Sequence, residues 1–217
     1  MRILITAGPT REPIDPVRYI SNRSSGKMGY ALASAACIAG HEVVLVSGPV
    51  GLEAPAGVEV IPAWSAAEMF AAIGGRIGDC DAAIFTAAVA DYTPAEVAQQ
   101  KIKKGGEDTL TLHLVKTPDI LGSARGEFEF KGLLVGFAAE TENVRDNALS
   151  KLRRKGCDFL VANDVSRKDI GFDGDQNEVV VYGADGSEAA VPKGDKSEVA
   201  AAILGLIGCG SATKGGR

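Results

Sequence analysis

Five or six short apolar runs alternate with amphipathic helical stretches along the chain. That alternation predicts an α/β fold: a doubly wound, mostly parallel, Rossmann-like sheet with helices on both faces. At 217 residues, with 46% hydrophobic and 24% charged side chains, the chain can bury one full core and has ordinary globular composition. No internal repeat or linker divides it, so a single domain over residues 1–207 is expected, with a disordered tail over 208–217. In such folds ligands bind beyond the carboxyl ends of the strands.

Residues 2–6 read as the first strand and 26–39 as its helix, stopped at Gly40. Residues 42–46 and 58–62 read as the next two strands. Ser65 and Glu68 have capping-box spacing at the head of a helix over 65–77. A fourth strand over 81–85 flows into Thr86-Ala87-Ala88-Val89-Ala90-Asp91-Tyr92, whose small residues let a planar group approach the sheet edge while Asp91 receives hydrogen bonds. Strand 133–137, helix 144–155 and strand 159–162 continue the rhythm. Two stretches break it. Residues 93–106 are polar and carry Lys101, Lys103 and Lys104 beside Gly105-Gly106, and 110–115 alternates like an edge strand. Together they are expected to form a flap over the site, about residues 93–115. Near the end, 178–182 and 188–191 flank Gly183-Ala184-Asp185-Gly186-Ser187, the signature of a C-terminal β-hairpin, and 195–207 reads as the last helix.

Composition narrows the function classes. A net charge of −5 argues against a general nucleic-acid or anionic-membrane binder, so any nucleotide contact must be local. No apolar run reaches the length of a membrane span, and Met1 leads directly into a strand pattern, so neither a transmembrane helix nor a signal peptide is expected and the location is expected to be cytoplasmic. Cys37, Cys80, Cys157 and Cys209 are scattered and form no C-x-x-C pair, which fits reduced thiols. His41 and His113 are far apart in strand contexts and offer no dyad.

The most informative stretch lies between the first strand and its helix. Residues 7–25 are polar and rich in Gly and Pro, where a strand-to-helix connection ordinarily takes about 2–6 residues. Arg18, Asn22, Ser24, Ser25 and Lys27 gather before a helix N-terminus, which already favours anions. Ser24, Ser25 and the backbone N–H groups from Gly26 onward are therefore expected to cradle a phosphate or carboxylate.

Familiar templates do not account for this loop. The G-x-G-x-x-G dinucleotide fingerprint is absent, and Ser47-Gly48-Pro49 stands where an acidic residue should end the second strand. The Tyr-x-x-x-Lys pair of short-chain dehydrogenases is also missing. Gly26-Lys27 lacks the first Gly and the Ser/Thr of a P-loop; Ser21 and Met28 occupy those places. Residues 173–177 mimic the start of a calcium loop, but Glu178 and Ala184 replace its Gly and bidentate Glu, so a turn is expected. The basic cluster at Lys101 suits neutralisation of a polyphosphate during group transfer. The basic run 151–155 is favoured by the helix dipole whatever its function.

Taken in order, several segments resemble the phosphopantothenoylcysteine synthetase family, the CTP-dependent ligase domain of bacterial bifunctional coenzyme A biosynthesis proteins. They are residues 6–10, Arg18-Tyr19-Ile20-Ser21-Asn22 through 24–29, 87–92, 101–104, 117–121, 136–141, 163–165, and Asp175 with Asn177. The resemblance runs from Ile3 to about Leu206 and covers nearly the whole chain. The family's flavin-dependent decarboxylase domain does not occur in this chain, which implies a freestanding ligase or a dissected domain, with a separate or fused decarboxylase as a partner.

The resemblance implies a ligase joining 4′-phosphopantothenate to L-cysteine. CTP first activates the carboxylate as an acyl-cytidylate with loss of pyrophosphate, and the cysteine amine then displaces CMP. It implies catalytic roles for Asn22, Lys101 and Arg18, with Asn22 at the acyl phosphate and Lys101 on the triphosphate. Phe85, Thr86, Ala87, Asp91, Lys101, Pro118, Asp119, Ile120, Leu121, Phe137, Lys151 and Lys155 would hold the nucleotide. Asn22, Ser24, Ser25, Gly26 and Lys27 would hold the other substrate. Mg2+ would ride on the CTP phosphates with no protein metal site, and the enzyme would be a homodimer with its flap directed toward the other subunit. The alternatives are a nicotinamide-dependent reductase, a non-catalytic nucleotide-binding module and an ATP-using version of the same ligase.

Overall fold

A computed structural model describes residues 1–104, 109–164 and 174–211. The elements are β1 (Arg2–Ala7), β2 (Arg11–Pro13), β3 (Tyr19–Ser21), α1 (Lys27–Ile38), β4 (Glu42–Ser47), β5 (Glu59–Pro62) and α2 (Ala66–Gly74). A 3-10 turn (Ile77–Asp79), β6 (Ala82–Phe85), β7 (Tyr92–Pro94), β8 (Leu114–Lys116), α3 (Ile120–Ser123) and β9 (Leu133–Glu140) follow. The chain continues with α4 (Val144–Lys155), β10 (Phe159–Asp164), β11 (Gln176–Gly183), β12 (Glu188–Asp195) and α5 (Lys196–Leu206).

The main sheet has eight strands in the order β12-β11-β10-β9-β6-β1-β4-β5. From β5 to β10 all neighbours are parallel; β11 and β12 add an antiparallel hairpin at one edge. The α/β architecture expected from the alternation is therefore present. The chain winds outward from β1 through β4 to β5, then returns to place β6 on the other side of β1. This reversal is the crevice in which open α/β sheets bind ligands.

Both faces of the sheet are buried. One carries α1 and α5, with Ile3, Ile5, Leu32, Leu45, Ile84 and Ile203 fully enclosed. The other carries α2, α3 and α4 over Leu4, Val46, Met69, Leu134 and Leu160. Gly29 brings α1 down onto β1: a Cβ there would lie 2.5 Å from the Ala7 Cβ and 2.6 Å from Thr86 Oγ1. No side chain can be accommodated without moving the helix off the crevice.

Local chemistry ends the helices where their composition requires. Gly156, at φ +62°, closes α4 in the left-handed region that glycine enters freely. At α2, Ser65 Oγ accepts from Glu68 N at 3.2 Å, but the Glu68 carboxylate reaches back to Trp64 N at 2.6 Å rather than to Ser65. Buried Glu12 of β2 supplies a further acceptor, to Ala66 N at 2.9 Å. Three donors at that helix start are thus satisfied, one of them by a residue far away in sequence.

Several expectations change. The connection over 7–25 contains a small hairpin, β2 paired antiparallel with β3. The edge strand expected over 110–115 is reduced to β8, which pairs with β7 in a separate two-stranded ribbon. Leu110, Leu112 and Leu114 alternate but meet no apolar face and stay exposed, so the period-2 pattern there does not mark a buried side. The helix expected over 65–77 ends at Gly74, and its last residues become the 3-10 turn. Residues 208–211, expected to belong to a disordered tail, are described: Cys209 is fully buried and its carbonyl oxygen lies 2.9 Å from His41 Nε2. Residues 105–108 of the flap, 165–173 before the hairpin and 212–217 of the tail lie outside the described residues. All four cysteines are free thiols.

Candidate functional site

The crevice is built by zipping the loop after β1 to the loop after β6. Thr86 Oγ1 donates to the Thr6 carbonyl at 2.5 Å, and Ala87 N donates to Thr6 Oγ1 at 3.1 Å. Ala88 N donates to the Gly8 carbonyl at 2.9 Å, while Ala90 N donates to Thr10 Oγ1 at 3.0 Å. On the far side, Thr117 Oγ1 donates to the Ala90 carbonyl at 2.6 Å. The small residues 87–90 are thus held as a rigid backbone rim across the carboxyl ends of the central strands. Small side chains at this rim leave its surface open to a planar ligand.

A cavity of about 500 Å³ opens on one side of this rim. Its apolar lining comes from Phe85, Met69, Val89, Ile120, Leu121 and Phe137, and its basic lining from Lys116, Lys151, Arg154 and Lys155. Asp91 and Asp119 are its acidic members. Such a space accepts a planar base and places a polyanion among cations. Asp119 caps α3 by accepting from Gly122 N at 2.9 Å and is paired with Lys155. Burial opposes its ionisation, but the Lys155 ammonium and the Gly122 N–H prevail and hold its carboxyl below the ordinary value. Lys151 donates to the Phe137 carbonyl at 2.8 Å, and burial pulls its ammonium below the ordinary lysine value against the opposing pull of Glu140.

A second cavity of about 280 Å³ lies against the start of α1. It is lined by Gly8, residues 24–29, Thr86, Ala88, Ala139, Asn163, Asn177 and Lys196, and it shares Ala87, Val89, Asp91, Phe137 and Lys151 with the first. The shared residues make the two spaces one groove. Gly26, at φ +76°, leads into α1, which has no side-chain cap and no acid in its first turn. A helix start without an acid in its first turn favours an anion. Lys27 is paired with Asp175 at 2.6 Å, which ties the helix start to the C-terminal hairpin.

Most of the candidate residues fall on the two cavities, with Ala87, Asp91, Phe137 and Lys151 lining both. Phe85, Ala87, Asp91, Pro118, Asp119, Ile120, Leu121, Phe137, Lys151 and Lys155 converge on the first cavity. Thr86, Ser24, Ser25, Gly26 and Lys27 lie on the second. Asn22 stands at the rim, where its Nδ2 donates to the Ala88 carbonyl at 3.0 Å. Lys101 and Arg18 line neither cavity. Arg18 is bound instead to buried Asp15 and to the carbonyl of Ile102, next to Lys101.

Sequence reasoning assigned no site role to Met69, Lys116, Arg154, Asn177 and Lys196. Lys196 carried a usable signal. It is the first residue of α5, where a cation is disfavoured by the helix dipole, yet it is buried with its Nζ on the Gly174 carbonyl at 2.6 Å. A lysine at such a position needs a reason beyond the helix. Among the described residues no group of three or more His, Cys, Asp or Glu side chains is placed to hold a metal ion. No helix among them is long and apolar enough to cross a membrane.

The model of the DNA/pantothenate metabolism flavoprotein C-terminal domain family matches residues 1–208. The chain belongs to that family. Within it, the coenzyme A biosynthesis bifunctional protein CoaBC of Vibrio cholerae is 49% identical over 207 residues, covering 95% of this chain and 52% of that protein. The chain thus spans about half the length of the curated relatives it matches. The crystal structure of the C-terminal domain of a CoaBC protein superposes with a TM-score of 0.80 at 45% identity, covering 95% of this chain and 93% of that one. A Cab2 mutant in complex with phosphopantothenate-cysteine shares the fold at 15% identity, with a TM-score of 0.78 over 95% of this chain and 84% of that one. The mostly parallel sheet with flanking helices described above is the fold that this chain shares with those structures.

Proposed function

We propose that this domain joins 4′-phosphopantothenate to L-cysteine in coenzyme A biosynthesis, through an acyl-cytidylate made from CTP. The observation that carries this is the continuous groove: an apolar slot lined also by Lys116, Arg154 and Lys155, the uncapped start of α1, and Lys151 shared between the two parts. Two anionic molecules can meet across the rim at Ala87 and Ala88.

In the first step a pantothenate carboxylate oxygen attacks the α-phosphorus of CTP. The bond to the bridging oxygen of the β-phosphate breaks, and pyrophosphate leaves. In the second step the cysteine amine attacks the acyl carbon, the acyl–phosphate bond breaks, and CMP leaves with the amide formed. Neither step needs a nucleophilic side chain, so catalysis rests on positioning and charge. The described residues agree with that requirement. His41 is buried against Cys209, and burial pushes the Cys157 thiol up to about 11, far from a reactive thiolate.

Phe85 and Phe137 would flank the cytosine, while Asp91 receives its donors. Lys151 and Lys155 would neutralise phosphates, joined by Lys101 of the flap. Asn22 would hold the acyl phosphate, with residues 24–27 at the other substrate's phosphate. Mg2+ would arrive as part of the CTP substrate rather than on protein ligands. The active species would be a homodimer, with a flavin-dependent decarboxylase fused or associated.

Pyrophosphate release should require CTP and phosphopantothenate together, and phosphopantothenoylcysteine should appear only when cysteine is added. Release with ATP but not CTP would reassign the nucleotide. CTP binding without turnover would leave a non-catalytic module, and NADPH binding in a fluorescence titration would favour a reductase.

The lowered pKa of Lys151 sets a pH dependence. CTP phosphates favour the charged ammonium, so CTP affinity is complete below the lysine's folded pKa and declines as pH rises through it. That decline should begin at lower pH than for an ordinary lysine. Lys151→Arg, which stays charged, should flatten the alkaline limb of CTP affinity measured by calorimetry.

A further inference from the structure

Asp15 is only 3% exposed, yet it makes no contact with either cavity. Its Oδ1 accepts from Val17 N at 2.8 Å and Arg18 N at 2.9 Å. Its Oδ2 accepts from Arg18 Nε at 3.0 Å, from Arg18 Nη2 at 2.5 Å and from Ile102 N at 3.1 Å. Arg18 Nη2 also donates to the Ile102 carbonyl at 2.8 Å. The acid–base pair therefore grips both backbone polar groups of one residue, and that residue follows Lys101. Earlier in the flap, Ala98 N donates to the Ile14 carbonyl at 3.0 Å. The arm is thus attached to the loop between β2 and β3 at two points.

This arrangement is unusual in what it fixes. Lys101 itself is exposed, and no regular structure surrounds it. A flexible arm would let its ammonium wander over many ångströms. A buried carboxylate paired with a guanidinium is a costly device unless its remaining lone pairs are satisfied, and here a flap amide satisfies one of them. The Arg18 guanidinium, helped by the backbone N–H donors and against the pull of burial, holds the Asp15 carboxyl well below the usual carboxylate range. The pair therefore stays charged at any pH at which the enzyme would work.

We propose that Asp15 is a positioning residue: through Arg18 and the backbone of Ile102 it sets where Lys101 stands when the triphosphate is attacked. This rests on the ligase reading above, in which Lys101 acts in the first step. Asp15 touches neither substrate and contributes only through Lys101.

A double-mutant cycle tests the coupling. Asp15→Asn keeps the shape but turns one acceptor into a donor facing Arg18 and Ile102. In single-turnover assays with CTP and phosphopantothenate, it should slow acyl-cytidylate formation by about 10–100-fold, the scale of a small misplacement of a charged group. In a Lys101→Gln background the same change should add less than about threefold. Full additivity of the two losses, or a wild-type rate for Asp15→Asn, would overturn the proposal. A wild-type rate for Lys101→Gln alone would instead overturn the ligase assignment of Lys101, so the two failures are distinguishable. If Asp15→Asn does not fold, hydrogen exchange on the unmodified protein decides. The Ile102 amide should be strongly protected relative to Lys101 and Lys103. Exchange of Ile102 as fast as its neighbours would show that the clamp does not form.

Discussion

Lys101→Gln is expected to cut acyl-cytidylate formation by on the order of 10²–10³-fold while leaving conversion of the preformed intermediate by cysteine nearly intact. Glutamine keeps most of the length and the hydrogen-bonding capacity of lysine but removes its charge. Negative charge shifts toward the bridging oxygen as pyrophosphate departs, so the missing charge is felt in the first step. The second step expels CMP after the β- and γ-phosphates have gone. Lys101 is exposed and lines neither cavity, so folding should change by no more than about 0.5 kcal/mol. Rapid-quench measurement of pyrophosphate without cysteine reads the first step, and a cysteine chase on supplied intermediate reads the second. A first step at the normal rate would remove Lys101 from the mechanism.

Asn22→Ala is expected to give the opposite split. Acyl-cytidylate should form and accumulate, and its conversion to amide should slow by on the order of 10²-fold. Asn22 Nδ2 lies 3.0 Å from the carbonyl of Ala88, a residue lining the second cavity, and the proposed reaction brings the acyl carbon and the amine together beside it. Its amide is a neutral donor, suited to the oxygen that gains charge as the amine attacks. Loss of the Ala88 contact should cost about 1 kcal/mol of stability, measurable by denaturant unfolding and too little to explain the kinetic defect. Equal slowing of both half-reactions would show that Asn22 serves general positioning rather than the second step.

Much of the groove was legible because its residues are contiguous in sequence. The rim at 87–92 follows a strand directly, and in a parallel sheet the residue after a strand must emerge at the carboxyl edge. Residues 118–121, Lys151 and Lys155 were assigned to the site only through the family resemblance, since the dipole alone accounts for basic residues in the last turn of α4. What sequence reasoning did not reach was set by contacts between distant segments. Glu12 caps α2 across 54 positions. Asp15 and Ile102 meet across 87. Lys27 meets Asp175 across 148. No local periodicity encodes such pairs. The flap strand was overextended because alternation of Leu and polar residues reports a buried face only when one is supplied, and at 110–115 none is.

By itself the sequence determined the α/β architecture, the order of its parallel strands and helices, the terminal hairpin and the short segments that mark the family. Those depend on periodicity, turn chemistry and contiguous blocks, all of which act within a few residues. Only the tertiary structure decided that the cavity under the rim and the cradle at α1 form one groove. It alone showed that Arg18 faces Asp15 rather than either cavity, and that the C-terminal segment is anchored at His41. Each of these follows from long-range packing and buried charge compensation, where the energy of a group depends on what the fold brings beside it.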